Sequence, residues 1–328
     1  MLRLALLASG CLALTACACS NKSHLTTADG RDRLYLVRTP SSWDGQSSLP
    51  VVLMLHGGGG DMDGTEESSR MTEAGTKAGY MVVYPEGVGK KVLGRRFGTW
   101  NAGVCCGTAM AEQVDDVAFI RTLIDTLVAE RHADPKRIYV AGLSNGALMS
   151  GRLACELSDR IAAAGPVAGA HFDEGCQPGR SVPMFFIHGT ADQCVPYAGG
   201  ETCGGCFDRA IEELLDRPPE VHVSFPCEGP TDAAAFWRGR DQCTGEGVTT
   251  HPNPDTTCVT WGGCAGGAEV VACTVEGGGH TWPGGKFTCN PRKDYCKTYM
   301  ETVGKISDFD ANQALLEFFG RHARAATP

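Results

Sequence analysis

The sequence predicts an α/β fold, in which a mostly parallel central sheet carries helices on both faces and disulfide-rich insertions. Short continuous apolar runs alternate with segments of helical periodicity, which is typical of parallel strands joined by helices. Two early apolar runs end in glycine-containing loops, as buried strands do at a sheet edge. The 17 cysteines, in a chain that begins with an export signal, indicate a domain cross-linked by disulfides.

The N-terminus has the pattern of an export signal. Arg3 precedes an apolar run over Leu4–Leu14, which is too short to span a bilayer. The run ends in Leu-Thr-Ala-Cys, which resembles a bacterial lipobox and predicts cleavage before Cys17 and a lipid on that cysteine. Plain secretion after cleavage nearby is the alternative. The expected organisation is a signal peptide over 1–16, a tether over 17–30 and one folded domain over 31–328, exported as a surface or outer-membrane lipoprotein or as a secreted protein.

The elements of the domain follow from the apolar pattern. Strands are predicted over Val51–Leu55, Met81–Tyr84, Ile138–Ala141, Ala162–Val167, Pro183–Ile187 and Glu269–Val275. Helices are predicted from Asp115 to Leu127, from Ala147 to Leu157 and from Asp310 to Phe319. Two turn-rich stretches with cysteines, over 200–237 and 286–305, depart from this alternation, and we expect them to be insertions over one edge of the sheet.

The composition excludes some classes of protein. Apolar residues make up 42% and charged residues 20% of the chain, which is ordinary for a globular protein. With a net charge of −9 the chain has no excess of positive charge that would neutralise a polyanion, so no nucleic acid partner is expected. Contact with a membrane is expected only through the predicted lipid on Cys17.

The cysteines themselves favour disulfides over metal binding. Setting aside the three near the N-terminus leaves 14, an even number. Cys203 and Cys206 have the spacing of a zinc-ligand pair, which Cys289 and Cys296 would complete. In an oxidising compartment disulfides are the simpler interpretation. Neither a metal ion nor a cofactor is expected.

One serine stands where a nucleophile is typically held. Gly142-Leu143-Ser144-Asn145-Gly146 lies between a predicted strand and a predicted helix, which is the setting of the G-x-S-x-G nucleophile elbow. That sharp turn exposes the serine hydroxyl, and the flanking glycines remove side chains that would clash there. A serine hydroxyl is a poor nucleophile at neutral pH, so it needs a base and an acid that orients the base.

The acid and the base are predicted from chain order and local context. With this elbow the order is serine, then acid, then histidine. Asp192 follows the strand ending at Ile187, whereas the later aspartates lack a strand before them. His280 lies between glycines after the strand ending at Val275. The competing histidines are His171, His188, His222, His251 and His322, of which we interpret His188 as a structural partner in its loop.

A tetrahedral intermediate also needs two N–H donors for its oxyanion. The backbone of Asn145, directly after the nucleophile, is one candidate. The glycine loop that begins with His56 follows an early strand and matches the HGGG-type loop of lipases and esterases, so Gly57 and Gly58 are candidates for the second. A phosphate-binding loop is the alternative, but no Lys-Ser or Lys-Thr follows.

Six ordered motifs together resemble the poly(3-hydroxybutyrate) depolymerase and feruloyl esterase family of secreted α/β-hydrolases, which is similar to carbohydrate esterase family 1. They span residues 34–322 and are Leu55-His56-Gly57-Gly58, Trp100-Asn101 with Cys105-Cys106-Gly107, Val114-Asp115-Asp116-Val117, the elbow, His188-Gly189-Thr190-Ala191-Asp192 with Pro196-Tyr197 and Gly199-Gly200, and Gly279-His280-Thr281-Trp282-Pro283-Gly284. The resemblance implies the α/β-hydrolase fold over 31–328 and ester hydrolysis through an acyl-enzyme, with Ser144, Asp192 and His280 as the triad.

The resemblance also carries finer expectations. It implies that Trp100 and Trp282 line the acyl pocket, with ordinary packing as the alternative, and that Cys243 pairs with Cys264. It implies a small or polymeric ester as substrate, from plant cell walls or a polyhydroxyalkanoate. Gly58 replaces the cysteine of many polymer depolymerases, which favours the feruloyl or acetyl ester branch.

Two other functions remain open at this point. A serine peptidase of the prolyl-oligopeptidase type shares the elbow and triad, but it usually has a further glycine where this chain has Ala147. An inactive binding protein on the same scaffold is the third reading, and the intact triad candidates argue against it.

Overall fold

The computed structural model describes residues 22–92, 95–170, 174–208, 212, 216 and 224–325. The strands of these residues are β1 (Lys22–Thr26), β2 (Asp32–Arg38), β3 (Leu49–Leu55), β4 (Met81–Pro85), β5 (Val88–Val92), β6 (Arg95–Thr99), β7 (Ala133–Leu143), β8 (Ala163–Val167), β9 (Met184–Gly189), β10 (Gly199–Cys203), β11 (Phe225–Glu228), β12 (Val248–Asn253), β13 (Thr256–Trp261) and β14 (Val270–Val275). The α-helices are α1 (Met62–Ser69), α2 (Met71–Lys77), α3 (Gly107–Ala111), α4 (Asp116–Arg131), α5 (Asn145–Glu156), α6 (Pro230–Arg240), α7 (Asp294–Val303) and α8 (Ala311–Gly320).

A ten-stranded sheet forms the centre of the domain, in the order β1-β2-β4-β3-β7-β8-β9-β14-β13-β12. The six strands from β4 to β14 run parallel to one another. The two strands at each edge are antiparallel. Parallel neighbours require crossover connections, and the helices supply several of these. The mostly parallel sheet agrees with the predicted fold class.

Each face of the sheet is covered by its own apolar core. Alternate residues of a strand point to opposite faces, so Val51 and Leu53 join one core whereas Val52 and Met54 join the other. The first core includes α4, α5 and α6, and the second includes α1, α2 and α8. Burial on both faces explains why the central strands are continuous apolar runs in the sequence.

The structure contains the predicted central strands and helices. The strands at the edges of the sheet were not predicted. The six predicted strands correspond to β3, β4, β7, β8, β9 and β14, and the three helices to α4, α5 and α8. The outer strand β12 is mostly exposed and lacks apolar alternation, so its sequence carries no strand signal. Within the turn-rich stretches the structure contains α6 and α7, which were not predicted.

The predicted tether differs from the structure. Lys22–Thr26 lies inside the stretch assigned to it, yet these residues form β1 and pair antiparallel with β2 at the edge of the sheet. Backbone hydrogen bonding to a neighbouring strand decides this, and the short polar segment gives little sign of it. The predicted signal peptide and the lipidation site at Cys17 lie outside the described residues. Among the described residues, no helix combines the length and apolar character that crossing a membrane requires.

Seven disulfides cross-link the described residues. Cys243 pairs with Cys264, the pairing that the family resemblance implied. The other pairs are Cys105–Cys106, Cys155–Cys176, Cys194–Cys206, Cys203–Cys227, Cys258–Cys273 and Cys289–Cys296. The sulfurs of the proposed zinc set are all consumed in these bonds, so the structure contradicts that alternative. Cys194–Cys206 ties the residues after β10 to the loop after β9, and Cys203–Cys227 ties β10 to β11.

Candidate active site

The predicted site residues follow four strands of the parallel part of the sheet. Gly57 and Gly58 come after β3, Ser144 after β7, Asp192 after β9 and His280 after β14. Parallel strands end at the same edge, so all of these loops meet there. The site is therefore assembled by topology from residues far apart in the chain.

Ser144 occupies the turn between β7 and α5. Its backbone has φ 57° and ψ −121°, a conformation that residues with a side chain rarely adopt. Its N–H donates to the Val167 carbonyl at 3.0 Å, which ties the turn to the end of β8. A Cβ on Gly146 would overlap the carbonyl oxygens of Leu55 and His56. Glycine there lets α5 begin directly against the end of β3.

Asp192 and His280 form a buried hydrogen-bonded pair. His280 Nδ1 donates to Asp192 Oδ2 at 2.8 Å. The backbone N–H groups of Cys194 and Val195 donate to the other carboxylate oxygen, Oδ1, both at 2.8 Å. Burial alone would raise the pKa of Asp192, but the charge of His280 and hydrogen bonds from His188 and His280 outweigh it and hold that pKa well below its usual range. Asp192 is therefore ionised at neutral pH.

The loops that carry the pair are in direct contact. A Cβ on Gly189, at the end of β9, would overlap the Gly278 carbonyl oxygen. The Ala191 N–H donates to the same carbonyl at 2.9 Å. The His280 N–H donates to the carbonyl of Val303 at 2.6 Å, so the end of α7 also holds His280 in place. A side chain at residue 189 would separate Asp192 from His280.

The second nitrogen of His280 is unengaged. Nε2 is buried and makes no hydrogen bond to Ser144 or to any other residue that the structure describes. With Nδ1 bound to Asp192, Nε2 is the atom available to accept a proton. Hydrogen bonds between a nucleophile and its base are often long before substrate binds. Proton transfer from Ser144 to His280 stays a prediction.

The glycine loop lies against the elbow. A Cβ on Gly57 would be 3.4 Å from the Ser144 Cβ, and one on Gly58 would be 3.6 Å from the Asn145 Cβ. The Gly57 carbonyl accepts hydrogen bonds from His56 Nδ1 at 2.8 Å and from the Gly60 N–H at 3.0 Å. In a trans peptide the N–H points opposite to the carbonyl, so these bonds direct the Gly58 N–H away from His56. The oxyanion role of these amides stays a prediction.

His56, the first residue of the HGGG-type loop, has a structural role that the motif did not reveal. Its Nε2 accepts the Gly87 N–H at 2.8 Å, and its Nδ1 is the donor to Gly57. Burial lowers the pKa of His56 to about 4. The ring is therefore neutral at pH 7, with one nitrogen donating and the other accepting.

Trp100 and Trp282, the predicted acyl-pocket residues, are both buried in the protein. Trp100 has no exposed surface, and its indole donates to the His56 carbonyl at 3.0 Å. Its backbone exchanges two hydrogen bonds with the Asn145 side chain, at 2.7 and 3.0 Å. The Trp282 indole donates to Asn312 at 2.9 Å. These contacts favour the packing alternative, with Trp100 joining the glycine loop to the elbow.

Aromatic side chains from the two insertions cover His280. The ring of Phe207, next to Cys206, meets the His280 ring edge-on with centroids 5.9 Å apart. Tyr299 of α7 stacks on Phe207 at 5.8 Å. The disulfide from Cys206 to Cys194 joins this cover to the loop of Asp192. One potential metal-ligand atom from each of Asp192, Cys194 and His280 lies within 4.8 Å of the other two, but a disulfide sulfur is not available as a metal ligand.

Comparison with known proteins identifies the family. Residues 34–196 match the family model described as Esterase PHB depolymerase. Feruloyl esterase B of Piromyces equi is 32% identical over 260 residues, which cover 78% of this chain and 44% of that protein. NocK of Nocardia uniformis subsp. tsuyamanensis, which is named as an esterase, is 32% identical over 270 residues, 80% of this chain and 74% of NocK. The chain belongs to the Esterase PHB depolymerase family.

Solved structures give the same fold. An acetyl xylan esterase from Aspergillus awamori has a TM-score of 0.54 at 14% identity, over 80% of this chain and 94% of that one. The predicted family and the α/β-hydrolase fold are therefore confirmed. The prediction of a carboxylic ester hydrolase has the support of relatives that carry esterase names. The chain spans less than half the length of the Piromyces protein.

Proposed function

We propose that this chain is a serine carboxylesterase in which Ser144 is the nucleophile, His280 the general base and Asp192 the acid that orients it. The observation that carries the proposal is the buried hydrogen bond from His280 Nδ1 to Asp192 Oδ2, with Nε2 left free. It lies at the sheet edge where Ser144 occupies a strained turn. A purely structural histidine would have no need of an unpartnered buried nitrogen.

The chemistry follows from these atoms. Ser144 Oγ attacks the ester carbonyl carbon while its proton moves to His280 Nε2, and the carbonyl electron pair moves onto oxygen. The N–H groups of Asn145 and of Gly57 or Gly58 stabilise that oxyanion. The intermediate collapses, the alcohol leaves with the proton from His280, and an acyl-serine remains. Water then repeats the sequence and releases the carboxylic acid.

Among substrates, we propose feruloyl and acetyl esters first and short hydroxyacyl esters, including polyhydroxybutyrate, second. The relative named feruloyl esterase B and the family description that includes depolymerases support this order. Gly58 in place of a cysteine favours the first class. Initial rates on methyl ferulate, p-nitrophenyl acetate, a polyhydroxybutyrate film and a prolyl peptide test it. Cleavage of the peptide alone would identify a peptidase, and no turnover of any substrate would identify an inactive scaffold.

Substitution of the triad tests the residue roles. We expect Ser144→Ala and His280→Ala each to remove nearly all turnover of p-nitrophenyl acetate. Because the two side chains act as a unit, the double variant should be little slower than either single one. Losses that multiply would contradict a shared step. His251→Ala is a matched control, because this histidine is exposed on β12.

We also propose that the protein is exported, as a lipoprotein modified at Cys17 or as a freely secreted enzyme. The seven disulfides support export, because such bonds persist in oxidising compartments. Labelling of expressing cells with a fatty acid tests the lipid, with Cys17→Ser as the variant and Cys19→Ser as its control. Label lost only in Cys17→Ser supports lipidation. Absence of label in the wild type, with protein in the medium, supports plain secretion.

A further inference from the structure

We propose that His188 is a positioning residue of the acid–base pair, holding Asp192 Oδ2 toward His280 and sharing the negative charge of that oxygen. The inference rests on the proposed function, since it concerns how the same pair is tuned. His188 is the fifth residue of β9, four positions before the acid. The sequence suggested only a structural role for it in its loop.

The contacts of His188 define its protonation. Its Nε2 lies 2.8 Å from the Val195 carbonyl oxygen and 3.3 Å from Asp192 Oδ2. A carbonyl oxygen only accepts, so Nε2 carries a hydrogen and donates it to the Val195 carbonyl, and Asp192 Oδ2 lies against the same N–H group as a longer contact. His280 Nδ1 donates to the same Oδ2 at 2.8 Å. The N–H groups of two imidazoles therefore lie next to one carboxylate oxygen, one as its direct donor and the other at 3.3 Å.

The carboxylate has no freedom to satisfy these donors in another way. Its Oδ1 already accepts two backbone N–H groups in the turn after β9. Both His188 and Asp192 are almost completely buried, at 2% and 6% exposure. Water does not replace a lost donor at such depth. Loss of one imidazole N–H near Oδ2 therefore changes how strongly this oxygen binds the other imidazole N–H.

The surroundings hold the His188 ring in this position. Tyr197 packs edge-on against it, with ring centroids 5.8 Å apart. The Tyr197 hydroxyl is hydrogen-bonded to Thr274 on β14 at 2.6 Å, which joins the ring to the strand that leads to the base. The titratable groups that face the carboxylate from these described elements are His188 and His280, and Tyr197 lies against the His188 ring. Tyr299 of α7 lies beyond Phe207. Cys194 is in a disulfide and does not titrate.

Loss of the His188 donor has two consequences. Oδ2 becomes freer to turn away from His280, so fewer molecules hold the base correctly and kcat falls. Oδ2 also becomes a stronger acceptor for the proton on His280, so the protonated base is stabilised. The acid limb of the kcat/KM profile then moves to higher pH, because a more basic His280 stays protonated to a higher pH.

The experiment compares His188→Leu, which lacks a donor, with His188→Gln, whose side-chain amide restores one. On p-nitrophenyl acetate we expect His188→Leu to lose about tenfold in kcat with little change in KM. Its acid limb should move upward by roughly half a pH unit or more. His188→Gln should recover most of kcat and return the limb toward the wild-type position. A limb that stays in place in His188→Leu, or a glutamine variant no better than leucine, would overturn the proposal.

The matched control is His322, whose Nε2 lies 2.9 Å from Glu269 Oε1 away from the candidate site. His322→Leu and His322→Gln remove and restore a similar histidine–carboxylate contact. They should alter thermal stability without moving the pH profile. Equal shifts from both histidines would indicate a general loss of structure and overturn the specific role of His188.

A measurement on the unaltered protein does not depend on variants folding. Nitrogen-15 NMR of the histidine rings should show His188 protonated at Nε2 and His280 protonated at Nδ1 at neutral pH. His188 protonated only at Nδ1 would overturn the proposal. Lack of ester turnover by the wild type would instead refute the proposed function, and the ring assignment would still decide the contact.

Discussion

Replacement of Asp192 by asparagine should invert the tautomer of His280. The amide oxygen of the new side chain must take the Oδ1 position, because the N–H groups of Cys194 and Val195 both donate there. The amide nitrogen then takes the Oδ2 position, where it meets His280 Nδ1 and His188 Nε2. An NH2 group donates, so His280 is driven to carry its hydrogen on Nε2. That nitrogen can no longer accept the Ser144 proton.

The amide nitrogen would face both His280 and His188, and each contact predicts a separate effect, one on kcat and one on the free energy of unfolding. In a serine protease with a Ser-His-Asp triad, the same type of substitution produces the wrong histidine tautomer and lowers kcat by roughly 10⁴. We expect a loss of the same order in Asp192→Asn, with KM little changed. The His188 N–H would also face a donor in place of an acceptor. An opposed buried donor costs about 1–3 kcal/mol, so the free energy of unfolding should fall by about that much.

The assay is hydrolysis of p-nitrophenyl acetate under steady-state conditions, with urea unfolding of the same samples. Asp241→Asn is the matched control, because Asp241 is a fully buried carboxylate whose Oδ1 also accepts a backbone N–H, from Val182 at 3.2 Å. It should retain kcat. If Asp192→Asn kept more than a tenth of the wild-type kcat while folded, the carboxylate would not be setting the tautomer, and our interpretation of the pair would be wrong.

Three further predictions concern buried polar groups. His56→Phe removes the donor to Gly57, so kcat should fall by roughly tenfold or more in steady-state assays, and an unchanged kcat would contradict its role in the loop. Arg33 Nη2 lies 2.7 Å from Asp116 Oδ1, so Asp116→Ala leaves a buried charge without its carboxylate partner. Urea unfolding should show that the free energy of unfolding falls by about 3–5 kcal/mol, and the double variant Arg33→Met with Asp116→Leu should lose less. Burial raises the pKa of Asp241 to about 7 from 3.8, so the folded state holds that proton more tightly and its contribution to stability falls as pH rises through this window. Asparagine does not titrate, so the free energy of unfolding of Asp241→Asn minus that of the wild type should rise by about 1.4 kcal/mol per pH unit between about pH 4 and 7. Urea unfolding measures this difference, and a difference that does not change with pH would contradict the raised pKa.

The central strands and the pair Asp192–His280 were accessible from sequence because each depends on a local pattern. The strands of the parallel region are buried on both faces, so they appear as apolar runs. Asp192 and His280 each follow such a run and lie in glycine-containing loops. Chain order after Ser144 then left few candidates. The structure places His280 Nδ1 2.8 Å from Asp192 Oδ2.

Other parts of the site could not be found this way. The roles of His56 and Trp100 depend on which backbone groups they meet, and those partners are distant in the chain: Trp100 contacts the carbonyl of residue 56 and the side chain of Asn145. The disulfide partners of the insertions were equally hidden, because spacing does not encode pairing. For the same reason, the sequence alone left a zinc site open as an alternative to disulfides.

The fold class, the order of the chemistry-bearing residues and the family motifs can be predicted from the amino-acid pattern, because they depend on periodicity and on residue type at short range. The free nitrogen of His280, the donors around Asp192 and the disulfide partners are known only from the folded chain. Those properties depend on the crossing of parallel strands, which brings positions 144, 192 and 280 to one edge of the sheet. Backbone N–H and C=O groups set much of the hydrogen-bond geometry at that edge. Because almost every residue carries the same backbone groups, the sequence does not show which of them meet there.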